Sequence, residues 1–217
     1  MSERNYRSNI PKAYAYDFLK NFMLFSGVLV PFFTVWGGIT FSQIMILQAV
    51  FTTSMFLFEI PTGVVADRFG RKTSLILSSV VTTTAVLVYS SYPSFWVFVC
   101  GEILWAVGVT LASGADTALV YDSLIQTGEE TGSKRILNRV ESIGLFAMVI
   151  AAPLGSLTAK YIGLDWAMIL SAIPIFLSAA IGLTFNEPPT QKKSEEKNYF
   201  KILKTGLTYF ESVNNFV

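Results

Sequence analysis

Histidine is absent from the 217-residue sequence, and cysteine occurs once, at Cys100. Catalytic dyads that use an imidazole base are therefore excluded, and an intrachain disulfide cannot form. Metal sites are commonly built from imidazole and thiolate ligands, so we expect no metal site and no other cofactor. The sequence also has no glycine-rich nucleotide-binding loop. These absences argue against an enzyme, and we expect no nucleic-acid partner.

Charged residues are scarce. They make up 14% of the chain, hydrophobic residues make up 52%, and the mean hydropathy is +0.51. A soluble domain usually carries about 25% charged residues. A water-soluble fold of this composition would expose too much apolar surface. The composition therefore predicts an integral membrane protein embedded in a lipid bilayer.

Two long uncharged runs, 21–58 and 73–101, locate the membrane spans. A helix needs about 20 mostly apolar residues to cross the hydrocarbon core. Polar or glycine-rich breaks inside the runs divide them. The resulting prediction is an all-α membrane protein with six transmembrane helices within residues 1–188, followed by a charged cytoplasmic tail at 189–217. The predicted spans are about 14–36, 42–66, 73–91, 94–116, 139–161 and 166–185, with 117–138 as a polar connector.

Basic residues fall almost entirely on one side of these spans. That side holds 15 of the 16 Lys and Arg residues, and the other holds only Lys160. Because cytoplasmic loops are enriched in Lys and Arg, both termini are predicted to be cytoplasmic. Tyr and Trp residues gather near the opposite interface, which agrees with this orientation. We therefore expect a multi-pass protein of the cell membrane.

The most specific motif lies between the second and third spans, where residues 63–72 read Gly-Val-Val-Ala-Asp-Arg-Phe-Gly-Arg-Lys. It resembles the signature of the major facilitator superfamily, G-x-x-x-D-R-x-G-R-K. The matching positions are Gly63, Asp67, Arg68, Gly70, Arg71 and Lys72. A basic cytoplasmic loop with a glycine turn would explain the positive charges, but it would not explain Asp67 or both glycines at this spacing.

Physical chemistry suggests a role for several motif residues. Gly63 would allow close helix approach, and Gly70 would permit a tight turn. Asp67 needs a partner such as helix N-terminal amides or a cation. The resemblance implies that the motif is a gate latch, which ties the second helix to the fourth helix and to the opposite half of the transporter. It also implies that Asp122 is the partner of Arg71.

Ionisable residues inside the spans are the candidates for coupling or substrate binding. Glu102 is the deepest. It is either a proton-coupling or cation-substrate site, or a structural carboxyl paired with Ser, Thr or Asn on the first or third helix. Asp116 lies on the same helical face. Asn21, with Asp17, is a weaker candidate. Glu59 is interpreted first as a structural partner of Arg68 or Arg139 and second as a proton carrier.

The fourth span departs from the family pattern, whereas the fifth span carries a feature that is compatible with it. The fourth span has no Arg or Lys, and Glu102 occupies the comparable region, which favours cationic or neutral substrates. The fifth span carries a small-residue stripe that allows close packing, either with the second half of a transporter or within this half. Its members are Ala147, Ala151, Gly155 and Ala159.

The resemblance covers the N-terminal six-helix half of a transporter. It implies alternating-access transport of a small molecule, including proton-coupled efflux of drug-like compounds as one form. The required second half would lie in the same polypeptide, in a separate chain or in a second copy, and the interpretation of the chain as a fragment is favoured. The alternative is a non-transporting or truncated membrane protein that assembles with a partner half.

Overall fold

The computed structural model describes residues 4–189, and this part of the chain is entirely helical apart from short connections. Its α-helices are α1 (Arg4–Arg7), α2 (Asn9–Asn21), α3 (Leu29–Pro31), α4 (Phe41–Phe69), α5 (Arg71–Tyr89), α6 (Phe95–Ala112), α7 (Ala115–Gln126), α8 (Ser133–Tyr161) and α9 (Leu164–Thr184). The predicted tail, 189–217, lies almost wholly outside the described residues.

Five helical stretches in the described part are long and apolar enough to cross a membrane. They are Phe41–Phe69, Arg71–Tyr89, Phe95–Gln126, Glu130–Tyr161 and Leu164–Thr184. They correspond to the second through sixth predicted spans. The described part of the chain is therefore all-helical and carries five candidate membrane spans.

The first predicted span, 14–36, is not one continuous helix. After α2, the chain forms a 3₁₀ segment at Leu24–Gly27, the short α3, and a π-helical turn at Phe32–Trp36. Phe22 leaves the helical region with a ψ of 71°. Pro31 has no N–H with which to continue the backbone ladder. Hydropathy detects apolar length and not backbone breaks, which is why the sequence indicated an unbroken span.

The predicted polar connector, 117–138, is also largely helical. The helix α6 stops at Ser113, Gly114 has a φ of 72°, and α7 then continues to Gln126. A 3₁₀ turn at Glu130–Gly132 leads directly into α8. The apolar face of α7 is buried in the bundle, with Leu119 and Leu124 both 0% exposed. This burial stabilises a helix in a segment whose average composition is polar.

Two buried clusters hold the bundle together. One is aromatic and surrounds Phe32, Phe33 and Phe98. The other joins Tyr16, Leu75, Leu119 and Phe185 near the opposite end of the helices. Beside the second cluster α5 and α6 pack through hydroxyl groups, since Ser74 donates to the Leu111 carbonyl at 2.5 Å and Ser78 donates to the Gly108 carbonyl at 2.6 Å. Such small polar residues allow helices to approach closely in a lipid environment.

The small-residue stripe of α8 packs inside this half. Ala147, Ala151 and Gly155 are buried, and Ala159 is half-buried. A Cβ on Gly155 would meet the Leu24 carbonyl group of the interrupted first segment. From the other side, a Cβ on Gly27 would lie 2.8 Å from the Ala152 carbonyl oxygen. The stripe was expected to pack either with the second half of a transporter or within this half. The described residues show the contact within this chain.

Candidate functional site

The turn between α4 and α5 is made by a single residue, Gly70. Its φ is +93°, a backbone conformation that residues with a Cβ rarely adopt. A Cβ at this position would also lie 3.1 Å from the side-chain carboxyl of Glu187. The tight turn expected from the motif is therefore present.

Arg71 is the residue through which the motif contacts α7. Its Nη1 forms an ion pair with Asp122 Oδ2 and also donates to the Ala118 carbonyl at 2.7 Å. The two charged side chains are 22% and 17% exposed, so the pair is largely shielded from solvent. The contact expected between Arg71 and Asp122 is present. One guanidinium nitrogen makes it, in place of the bidentate geometry that arginine can adopt.

Glu187 was not identified from the sequence. Its carboxylate accepts the backbone N–H of Arg71 at 2.8 Å and that of Lys72 at 2.7 Å. These are unpaired donors at the start of α5, where the helix dipole also favours negative charge. An acidic residue immediately after the last span, on the same side as the motif, was the signal that could have revealed it. The start of α5 is thereby tied to the segment that follows α9.

Other motif residues lie on the outside of the bundle. Asp67 is exposed, and no hydrogen bond or ion pair to it occurs among the described residues. Arg68 lies over the ring of Phe69, 5.7 Å from its centroid. A Cβ on Gly63 would meet nothing within 4 Å. The close helix approach expected of Gly63 is therefore not made within residues 4–189, because this face of α4 has no neighbour there.

Asn9 links three elements next to the motif and was also missed. It is fully buried, and its side chain donates to Ser123 Oγ at 2.9 Å and to the Asn186 carbonyl at 2.7 Å. It accepts in return from the Asn186 backbone N–H at 2.9 Å. Sequence analysis did not identify Asn9 because this residue lies in a polar N-terminal stretch before the first apolar run. The start of α2, the middle of α7 and the end of α9 are joined through this one amide.

Glu59 has a different partner from the one predicted. Its Oε1 accepts from Ser113 Oγ at 2.9 Å, at the break between α6 and α7. No ion pair with Arg68 or Arg139 occurs in the described part of the chain. The predicted ionic partners were wrong because the break after α6 places a hydroxyl group within reach of Glu59. Its role as a structural hydrogen-bonding residue stays a prediction.

A cavity of about 560 Å³, the larger of the two considered among the described residues, lies among α2, α7 and α8. Its charged lining residues are Asp17, Lys20, Asp116 and Glu141, so carboxylates outnumber amines by three to one. Asn21 also lines it and donates to the Asp17 carbonyl at 2.9 Å. Asp17, Asn21 and Asp116 were candidates from the sequence, whereas Lys20 and Glu141 were not recognised as lining the same space. No group of residues suited to hold a metal ion occurs in the described part of the chain.

A second cavity, about 170 Å³, contains Glu102. The Glu102 side chain is buried, with the residue 4% exposed, and Tyr89 at the end of α5 lines the same cavity. Within the described residues no hydrogen bond joins Glu102 to the Ser, Thr or Asn partners considered from the sequence, and its polar neighbour on the third span is Tyr89. Asp116 lines the other cavity, because the break at Ser113 and Gly114 ends the helical face that the two acids were expected to share.

The sequence model of the Major Facilitator Superfamily matches residues 17–213. An uncharacterized transporter of Buchnera aphidicola is 26% identical over 152 residues, which cover 70% of this chain and 37% of the relative. The facilitated glucose transporter member 12 of solute carrier family 2 from mouse is 24% identical over 185 residues, 83% of this chain and 29% of the relative.

A third relative is an uncharacterized transporter of the same family type, YxaM of Bacillus subtilis. It is 26% identical over 127 residues, covering 56% of this chain and 29% of the relative. The chain thus spans well under half the length of the relatives it matches.

Proposed function

The chain belongs to the major facilitator superfamily, and we propose that it forms the N-terminal six-helix half of a secondary transporter. The cargo is a small molecule, and the mechanism is alternating access across the cell membrane. Members of this family consist of two six-helix halves around a central site near the membrane midplane. The proposal includes no enzymatic step.

The chain crosses the membrane six times if the interrupted segment 9–36 forms the first crossing. Transporter folds commonly use discontinuous helices beside the transported molecule, and the free backbone groups then line a cavity instead of facing lipid. The distribution of Lys and Arg supports the orientation, with 15 of 16 on one side. Both termini are accordingly proposed to be cytoplasmic.

The observation that carries the proposal is the cavity of about 560 Å³. Ionisable groups within membrane spans are costly unless they pair or contact water, and they commonly mark a transport pathway. Here Asp17 and Asp116 approach the same space from α2 and α7, and Glu141 lines it from α8. A cavity with polar walls in an otherwise apolar bundle is what a small hydrophilic cargo needs.

The motif supports alternating access through a latch. Arg71 joins α5 to α7 through Asp122, while Glu187 joins the start of α5 to the segment after α9. Asp67 and Gly63 remain on an exposed face of α4. We propose that this face docks on the second six-helix half and that the latch changes when the two halves rock. The second half is in the same polypeptide, in a separate chain or in a second copy.

Transport by membrane vesicles containing the protein tests the proposal. The panel contains labelled organic cations, organic anions and hexoses, the last because one relative is named as a glucose transporter. A saturable flux that Asp67→Asn abolishes, with membrane insertion at the wild-type level, would support transport. An imposed proton gradient tests the narrower proposal of proton-coupled efflux of drug-like compounds.

The alternative is a non-transporting membrane protein that assembles with a partner half. The exposed Gly63 face favours an assembly role in either case, because a larger side chain there would disturb docking without disturbing the fold of this half. Under the alternative, no panel compound would move, and Asp67→Asn would affect only co-purification with the partner. Transport that persists unchanged in Asp67→Asn would contradict the latch.

A further inference from the structure

The cavity around Glu102 is walled by aromatic rings. They are contributed by Phe25, Phe33, Phe51, Tyr89 and Trp105. The rings of Phe25 and Trp105 meet edge to face, with centroids 5.6 Å apart and planes at 80°. Those of Phe33 and Tyr89 meet in the same way, at 6.0 Å and 65°. Because the ring planes are steeply inclined to one another, the cavity is bordered by aromatic groups in several orientations.

Among the residues that the structure describes, Glu102 is the only acid that lines this cavity, and no basic residue pairs with it. The ion pairs of the described part of the chain are Arg7 with Glu129 and Arg71 with Asp122. The sequence contains no Lys or Arg between Lys72 and Lys134. The polar neighbour of Glu102 on α5 is Tyr89, whose hydroxyl group is neutral. A carboxylate that is removed from water and has no cationic partner is stabilised by a positive charge placed beside it.

We propose that this cavity binds a small organic cation of the N-methylated or quaternary ammonium class. This inference rests on the proposed transport function and names its substrate class. Glu102 supplies the counter-charge, and the ring faces supply cation–π attraction, which is strongest for Trp105. Recognition of quaternary ammonium groups by aromatic cages is a general use of this interaction.

The lining also disfavours other cargo classes. Besides Glu102 and Tyr89, the described residues contribute two polar groups to this cavity, the Gln48 amide and the indole N–H of Trp105. A hexose would leave most of its hydroxyl groups without hydrogen-bond partners here, which is costly in an apolar site. An anion would meet a like charge on Glu102. The larger cavity carries the same sign, since three carboxylates there face one amine.

The size and opening of the cavity fit a compact head group. Its volume is about 170 Å³, and exposed Gln48 together with half-buried Phe51 places its opening beside α4. Quaternary ammonium groups have no N–H to donate, so a site with few acceptors and many rings suits them. Binding would bring the cation against Glu102 without requiring further hydrogen bonds.

Choline binding to the purified chain in lipid nanodiscs tests the proposal, with 3,3-dimethylbutan-1-ol as the uncharged ligand of the same shape. Labelled choline should bind saturably, and the alcohol should compete at least tenfold more weakly. Glu102→Gln should weaken choline binding at least tenfold, and Trp105→Leu should weaken it severalfold. The control Glu129→Gln makes the same chemical change in an exposed ion pair and should leave binding unchanged.

Tyr89→Phe keeps the ring and removes only the hydroxyl group, so choline binding should persist within a few-fold. This variant keeps the test valid if Glu102→Gln does not fold. Equal affinity for choline and the alcohol, or loss of less than twofold in a folded Glu102→Gln protein, would overturn the proposal. Choline binding without any flux in vesicles that also contain the second half would retain this site and overturn the transport function. Flux of another compound without choline binding would retain the transport function and overturn this binding site.

Discussion

Glu187 accepts a hydrogen bond from the backbone N–H of Arg71 at 2.8 Å, although 116 positions separate the two residues in the chain. The side chain of the same Arg71 forms an ion pair with Asp122. One residue at the start of α5 is therefore held from two directions, by the segment after α9 and by α7. The motif turn is a junction of three parts of the bundle.

Removing the Glu187 carboxylate should loosen this junction locally. In Glu187→Ala, two backbone N–H groups at the start of α5 lose their acceptor, and we expect a loss of about 1 kcal/mol of stability, as for other helix N-terminal caps. Hydrogen exchange at residues 71–74 should accelerate, while exchange in the middle of α5 should not change. Unchanged hydrogen exchange at Arg71 and Lys72 would contradict this prediction, because it would mean that water replaces the Glu187 carboxylate as acceptor without loss of stability.

The Arg71–Asp122 pair should show coupling in a double-mutant cycle. We expect Arg71→Gln and Asp122→Asn each to lower thermal stability in detergent, and the double variant to lose less than the sum. Contacting charged residues commonly couple by about 0.5–3 kcal/mol. The low exposure of both side chains reduces solvent screening and favours a measurable value. Strictly additive losses would mean that Arg71 acts through the Ala118 carbonyl alone.

The contact between α8 and the interrupted first segment should be intolerant of added volume. In Gly155→Ala the new methyl group would overlap the Leu24 carbonyl group, so the backbones must separate. Overpacking of this kind commonly costs about 1–3 kcal/mol. The matched control is Gly132→Ala, where an added Cβ has no neighbour within 4 Å. A lowered melting temperature in the first variant and not in the second checks the prediction, and equal melting temperatures would contradict it.

Several parts of this fold were accessible from the sequence because one physical signal dominates each. Uncharged runs predicted spans at 42–66 and 73–91, and the helices run Phe41–Phe69 and Arg71–Tyr89. The glycine turn at Gly70 followed from the motif. A local pattern is sufficient for these features, since helix length and turn chemistry depend on neighbouring residues. The Asp122 partner of Arg71, 51 positions away, was implied by the family resemblance and not by a local pattern.

Other parts required tertiary contacts that no local pattern contains. The interruption after Asn21 places residues 24–27 against α8, where Gly27 and Gly155 allow close backbone approach. Asn9 and Glu187 act on elements that lie more than 100 positions away in the chain. Glu141 was overlooked because it lies at the polar start of α8, and only the packing of α8 against α2 brings it to the larger cavity.

The orientation of the bundle can be measured with single cysteines. Cys100→Ser removes the only thiol of the chain, and Lys134→Cys or Lys160→Cys then introduces one at an exposed position on either side. Because cytoplasmic loops are enriched in basic residues, the thiol at 134 should react with a membrane-impermeant maleimide only after the cells are opened. The thiol at 160 should react in intact cells.

This pair of sites also tests the number of crossings between them. Only the α8 stretch, Glu130–Tyr161, separates the two positions, and it is long enough to cross once. Opposite labelling of the two thiols is therefore expected whichever way the bundle is inserted. Reversed labelling would overturn the orientation while keeping the crossing, whereas identical labelling of both thiols would mean that α8 does not span the membrane.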